Sequence, residues 1–140
     1  MQYQIQTRWT GKDLGFTADI EGYKLDMDSS SENTAQGASP KRLMLASLLG
    51  CTGMDVISLL QKMRVPAEEF SIEATAPLTE EHPKVFESVH LVYRVKGTGI
   101  KRDKVEKAID LSQTRYCGVS IMLKKHCPVT WELEIDEGQG

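Results

Sequence analysis

The chain has three cysteines, Cys51, Cys117 and Cys127, so thiol chemistry is the first chemistry that its residue types suggest. A dithiol site that consumes peroxide needs one thiolate to attack the O–O bond, becoming a sulfenic acid, and a second thiol to condense with it into a disulfide. Cys51 falls in the middle of an apolar helical pattern and Cys117 at the end of a second one, and each has a glycine beside it. Because free cysteine often serves only as a small buried hydrophobe, a structural role is the alternative.

Gly50 and Gly53 lie on either side of Cys51 within the predicted helix. Each costs a helix about 1 kcal/mol relative to alanine. A stable helix therefore carries them for a reason such as close backbone packing or access to a neighbouring group. This favours a site around Cys51 over plain core packing.

The elements before Cys51 are predicted from hydrophobic period. Alternation over residues 3–9, 16–20 and 23–27 predicts a meander of three half-buried strands, followed by a polar loop over residues 28–37. Ser39 and Pro40 suit the N-cap and first position of a helix. From Leu43 onward this helix is apolar almost all round, which indicates a central helix covered on most sides and stopped by Pro66.

The second half of the chain alternates strands and helices less regularly. Residues 70–76 and 88–95 have the period of strands, residues 103–114 that of a helix, residues 118–125 that of a short helical stretch, and residues 129–135 that of a closing strand. The predicted order is βββ-α-ββ-α-β in one domain spanning residues 1–140. This order is typical of an α+β fold, here a largely antiparallel sheet packed on a long buried central helix.

Composition excludes several classes of function. A net charge of −3 and a pI near 5.6 provide no basic surface for nucleic acid. The N-terminal residues lack the pattern of a secretory signal, and an odd number of cysteines is typical of reduced thiols, so we expect a cytoplasmic protein. No membrane span is expected at residues 43–60, since polar residues interrupt this apolar stretch: Ser47, Thr52, Asp55 and Ser58.

The sequence predicts neither a metal nor another cofactor. The histidines are scattered and no closely spaced pair of Cys or His ligands is present. Cys127, beside Pro128, is interpreted as a bystander. Asp55, one helical turn after Cys51, is interpreted as the partner in a structural salt bridge or a helix-end hydrogen bond, with assistance to catalysis as the alternative.

Two segments carry a resemblance to a known family. Residues 39–56, SPKRLMLASLLGCTGMDV, and residues 115–120, RYCGVS, resemble the two cysteine motifs of the OsmC/Ohr family, in the same order and with 66 positions between Cys51 and Cys117. The resemblance implies an OsmC-like fold and an intertwined homodimer with active sites at the subunit interface. It also implies an antioxidant, stress-response function: reduction of organic hydroperoxides by a peroxidatic Cys51 and a resolving Cys117. The thiol reductant in the best-known branch is a lipoylated protein.

The chain departs from the family peroxidases at two places. They usually have a glutamate just after the Ser-Pro and an arginine in the first hairpin turn, whereas this chain has Lys41 and Arg42 at the first place and Lys12 at the second. A buried thiol needs a nearby cation to remain ionised, so Lys12 or Arg8 is predicted to serve Cys51. The alternative is a non-catalytic OsmC-like dimer that binds a small apolar molecule or has a structural or stress role.

Overall fold

The computed structural model describes residues 1–30 and 34–137, so positions 31–33 of the predicted polar loop lie outside the described residues. The chain forms two compact units, Met1–Ala46 and Ser47–Gly140. The single domain over residues 1–140 stays a prediction. The elements, in chain order, are β1 (Gln6–Trp9), β2 (Phe16–Ile20), β3 (Tyr23–Met27), α1 (Pro40–Lys62), β4 (Glu69–Thr75), β5 (Val89–Lys96), α2 (Arg102–Leu111), a π-helical turn (Ser112–Tyr116), α3 (Gly118–Lys124) and β6 (Val129–Asp136).

The first unit contains the predicted antiparallel meander, with β2 between β1 and β3. The expectation of half-buried strands is wrong here, because every residue of β1 is exposed and Ala18 is the one buried residue of β1, β2 and β3. The apolar residues of this sheet remain uncovered within the single chain. Alternation in the sequence indicates which face of a strand is apolar, but it does not indicate whether another part of the chain packs on that face.

Helix α1 begins at Pro40, as the cap residues predicted, and ends at Lys62. Its fully buried residues form a single stripe with a spacing of four: Leu48, Thr52, Val56 and Leu60. The prediction that α1 is covered on most sides is therefore wrong for the single chain, and Met54 is 76% exposed. By length and composition alone α1 could cross a membrane, a criterion that core helices of soluble proteins also meet.

The second sheet has β5 at its centre, antiparallel to β4 and parallel to β6. The buried face of β5 is formed by Val89, Leu91, Tyr93 and Val95. The expectation of one largely antiparallel sheet is therefore corrected to two three-stranded sheets, the second of them mixed. A parallel pair needs a long crossover, which α2, the π-helical turn and α3 supply between β5 and β6.

Candidate functional site

The site is centred on Cys51 and Cys117, both in the second unit. Cys51 lies in the middle of α1 and is partly exposed, while Cys117 lies between the π-helical turn and α3 and is fully buried. Their sulfur atoms are within 4.8 Å of each other. Residues 66 positions apart are thus brought together, and both are free thiols.

The π-helical turn sets the position of Cys117. The Cys117 backbone N–H donates to the carbonyl of Ser112, five residues earlier, at 2.7 Å, and this bond closes the π-helical turn. Cys117 then adopts an extended conformation and caps α3, its Sγ accepting a hydrogen bond from the Ser120 N–H at 3.3 Å. Short π-helical insertions are frequent at functional sites.

Burial sets the protonation of Cys117. The pKa of the Cys117 thiol is raised to about 12, chiefly because the sulfur is removed from water; the Ser120 N–H opposes this rise, and Cys51 and Asp55 contribute to it. The charges that act on this sulfur therefore come from two acidic groups and not from a cation. Cys117 is a neutral thiol at physiological pH.

Asp55 is the third member of the site. One of its carboxylate oxygens lies within 4.8 Å of both sulfur atoms. The Ser112 hydroxyl donates to the carboxylate at 3.0 Å, and no salt bridge to Asp55 is found among residues 1–30 and 34–137. Of the two structural interpretations made from sequence, the hydrogen bond is confirmed.

A buried polar network lies behind Asp55, built from Thr52, Tyr93, Ser112, Gln113 and Ser120. The Thr52 hydroxyl is 2.6 Å from the Tyr93 hydroxyl and 2.8 Å from that of Ser112. The Gln113 amide nitrogen donates to Thr52 at 3.2 Å and to Tyr93 at 2.9 Å. The Ser120 hydroxyl donates to the Gln113 amide oxygen, which fixes the orientation of that amide.

The donors in this network follow one direction. Because Ser112 uses its only hydroxyl proton on Asp55, the Thr52 hydroxyl must donate to Ser112, and the Tyr93 hydroxyl in turn must donate to Thr52. The chain of hydroxyls therefore ends on the Asp55 carboxylate. Burial, the largest influence, raises the pKa of Tyr93, which keeps its phenol protonated as this arrangement requires. The network holds Asp55 beside the sulfurs as a hydrogen-bond acceptor.

This network was not among the features predicted from the sequence. Thr52 was interpreted as one of the polar residues that interrupt an apolar stretch, although it occupies the buried stripe of α1. Ser112 and Gln113 are likewise buried, and they continue the helical spacing of the buried residues of α2. Polar residues at the buried positions of two different helices are the signal that could have indicated it.

An apolar groove of about 460 Å³ lies beside this part of α1. Its lining is Leu49, Gly50, Gly53, Met54, Ile57, Phe70, Ser71 and Ile72. A Cβ at Gly53 would stand 3.4 Å from the Ile72 side chain and 3.9 Å from that of Phe70, which are ordinary van der Waals contacts, so packing on β4 does not require glycine at this position. A Cβ at Gly50 would meet no atom within 4 Å, so packing within the chain does not account for Gly50.

The other sequence candidates lie elsewhere. Arg8 is on β1 and Lys12 in the turn that follows it, both in the first unit and both exposed, and their role as cations for Cys51 stays a prediction. Cys127 is buried.

Comparison with known proteins adds the family. A model of the OsmC-like protein family matches residues 31–132. Protein YhfA of Escherichia coli (strain K12) is 32% identical over 133 residues, covering 94% of this chain and 97% of that protein. An OsmC-like protein from Mycoplasma pneumoniae shares the fold with a TM-score of 0.84 at 14% identity, over 97% of this chain and 98% of that one. The organic hydroperoxide resistance protein OhrB of Bacillus subtilis has a TM-score of 0.69 at 17% identity, over 96% and 98% of the two chains.

Proposed function

Since this chain belongs to the OsmC-like protein family, we propose that it reduces organic hydroperoxides, with Cys51 as the peroxidatic thiol and Cys117 as the resolving thiol. The observation that carries the proposal is the separation of the two sulfur atoms, which is below 4.8 Å. A disulfide requires about 2.05 Å between sulfurs. Side-chain rotation of the partly exposed Cys51 would supply most of the approach.

The proposed reaction has two steps. In the first, the Cys51 sulfur bonds to the terminal oxygen of the hydroperoxide, the O–O bond breaks, and the leaving alkoxide takes the thiol proton to become an alcohol. In the second, the Cys117 sulfur bonds to the Cys51 sulfenic acid, the S–O bond breaks, and the hydroxyl leaves as water with the Cys117 proton. A thiol reductant, which we propose to be a dithiol such as a lipoylated protein, returns the two electrons.

Cys51 has to be ionised to react with the hydroperoxide. In the described part of the second unit, the charged groups that act on the neighbouring Cys117 are both acidic, Cys51 and Asp55. We therefore assign the cation to Lys12 or Arg8, as the sequence predicted. A positive charge near a thiol lowers its pKa and increases the fraction present as the reactive thiolate. Neutralising the residue that acts should slow the first step and leave disulfide closure unchanged.

The proposal includes a cytoplasmic homodimer. It is supported by the apolar surface that the single chain leaves open on α1 and on the first sheet, with Met54, Tyr23 and Trp9 all more than half exposed. Large apolar side chains exposed on either unit are candidates for burial against a partner. Light scattering coupled to size exclusion should give twice the chain mass.

Thiol loss on exposure to cumene hydroperoxide tests the activity. The reduced protein should lose two thiols rapidly, Cys51→Ser should lose none rapidly, and Cys117→Ser should lose one and retain a sulfenic acid that a dimedone probe labels. Cys127→Ser is the matched control and should behave like the wild type. Slow loss in every variant, at the rate of free cysteine, would refute the peroxidase proposal.

The apolar groove favours one other function. Because the groove is open and lined mainly by apolar groups, it fits either the tail of a hydroperoxide or a small apolar ligand held without chemistry. Binding of an apolar fluorophore that persists in Cys51→Ser, together with slow thiol loss, would support the non-catalytic function.

A further inference from the structure

We infer that Cys51, Asp55 and Cys117 form a binding site for a thiophilic divalent cation, zinc, with a fourth coordination position left open. The inference goes beyond the proposed peroxidase activity and does not depend on it. It starts from the convergence of two sulfurs and one carboxylate oxygen, all within 4.8 Å of one another. Sequence spacing predicted no metal, because two of these ligands come from α1 and the third from a distant segment.

The geometry fits zinc with a small contraction. Zinc binds sulfur at about 2.3 Å and carboxylate oxygen at about 2.0–2.2 Å, which places the two sulfurs of a tetrahedral site about 3.8 Å apart. Cys51 and Asp55 are separated by four positions on one helical face, so their side chains already point the same way. Rotation of the Cys51 side chain is enough to close the site.

The charge of the site also fits a cation. Three acidic groups converge here, and the charges acting on Cys117 are those of Cys51 and Asp55. Zinc would replace the two thiol protons, which leave to solvent, and its two positive charges would offset most of the three negative charges on the ligands. Three protein ligands plus an open position is the arrangement of zinc sites that exchange a water molecule or a substrate.

The groups behind the ligands are already arranged as the outer partners of a metal site. Ser112 donates to the Asp55 carboxylate at 3.0 Å and is itself held by Thr52. The Ser120 N–H donates to the Cys117 sulfur at 3.3 Å. Such partners orient ligands, and their loss typically lowers metal affinity by about 10–100-fold.

A route for the ion is present on the carboxylate side. Asp55 lines a surface cavity of about 410 Å³ together with Met54, Ser58, Leu59, Lys62 and Tyr116. Cys51 and Asp55 are both partly exposed. The cation would therefore enter past Asp55 and reach the buried Cys117 sulfur last.

Zinc binding and disulfide formation exclude each other, because each uses both sulfur atoms. Oxidation of the pair would release the ion, and the bound ion would protect the pair from oxidation. The site thus couples the redox state of the thiols to the concentration of free zinc.

Cobalt substitution and zinc titration of the reduced full chain test the site. One Co²⁺ per chain should give thiolate-to-cobalt charge-transfer absorption and the intense visible bands of a tetrahedral site, displaced by one equivalent of Zn²⁺. Cys51→Ser should abolish the charge-transfer bands. Asp55→Asn should weaken zinc at least about tenfold in competition with a chromophoric chelator, while Cys127→Ser and the exposed Asp103→Asn should bind as the wild type does.

Alkylation gives a second measurement on the wild-type protein. One equivalent of Zn²⁺ should block labelling of the partly exposed Cys51, the thiol that reagents reach first, and leave the labelling of Cys127 unchanged. Absence of charge-transfer bands and of protection would overturn the inference, and so would zinc affinity unchanged in Asp55→Asn. Peroxide assays run in chelator are independent of all these results, so failure of the zinc site and failure of the peroxidase can be told apart.

Discussion

Ser112→Ala removes the hydroxyl that links the buried network to the site. The fully buried Thr52 hydroxyl then loses its acceptor. If Thr52 donated to the Tyr93 hydroxyl instead, the Tyr93 proton would have no acceptor, so one buried hydroxyl is left unsatisfied in either case. An unsatisfied buried polar group costs about 1–3 kcal/mol. Loss of the donor to Asp55 adds about 1 kcal/mol, because that carboxylate is partly exposed and water replaces the bond. We expect the free energy of unfolding to fall by about 2–4 kcal/mol.

Urea denaturation of the reduced protein measures this loss. The slope of the free energy of unfolding against urea concentration should be the same in the variant and in the wild type. Thr114→Ala is the matched control, because it deletes an exposed hydroxyl two positions away that donates to the Asp110 carbonyl at 2.7 Å. It should cost less than about 0.5 kcal/mol. If Ser112→Ala destabilises no more than Thr114→Ala, the network is not the closed, water-free chain described above.

Three further predictions concern protonation and packing. In a Cys51→Ser, Cys127→Ser background, the alkylation rate of Cys117 should still be rising at pH 10 without a plateau, because burial holds its pKa far above the ordinary 9.0; a plateau near pH 9 would contradict this. Gly50→Ala should raise the free energy of unfolding by about 1 kcal/mol, since a Cβ there meets open space, and a loss in urea denaturation would show that this face is tightly covered. The Ser30 hydroxyl, and after it the backbone N–H groups of residues 30 and 36 that donate to the Asp28 carboxylate, hold the pKa of that carboxyl below 3.8, so its folded pKa lies under the unfolded value. The stability advantage of wild type over Asp28→Asn should therefore be full at neutral pH and disappear in thermal melts as pH falls below about 3.8; a constant difference across that range would refute the assignment.

Local signals in the sequence predicted the elements well. Helix α1 begins at Pro40, as expected from the fixed φ of proline at a first helical position, and the three strands of the meander follow from alternation and turn residues. The parallel pairing of β5 and β6 could not be predicted in this way, because alternation is the same for both directions of pairing. Burial was also overestimated, on β1 and on most faces of α1, since apolar period does not specify what covers a face.

The site was predictable in part. Cys51 and Cys117 were singled out by residue type and by motif resemblance, but spacing alone could not bring them together across 66 positions. Asp55 was interpreted correctly as hydrogen-bonded, without its partner being identified. Thr52, Ser112 and Gln113 were missed because a polar residue in an apolar stripe is ambiguous until its partners on other elements are known.

If Cys51 and Cys117 are the peroxidatic and resolving thiols, a hydroperoxide should oxidise them to a disulfide. Peptide mass spectrometry after one equivalent of cumene hydroperoxide, with the remaining free thiols alkylated in denaturant once the reaction has ended, measures this directly. The account predicts a Cys51–Cys117 linked peptide that disappears on treatment with a dithiol, with Cys127 recovered alkylated. A linkage to Cys127, or both thiols recovered alkylated at the end of the reaction, would contradict it.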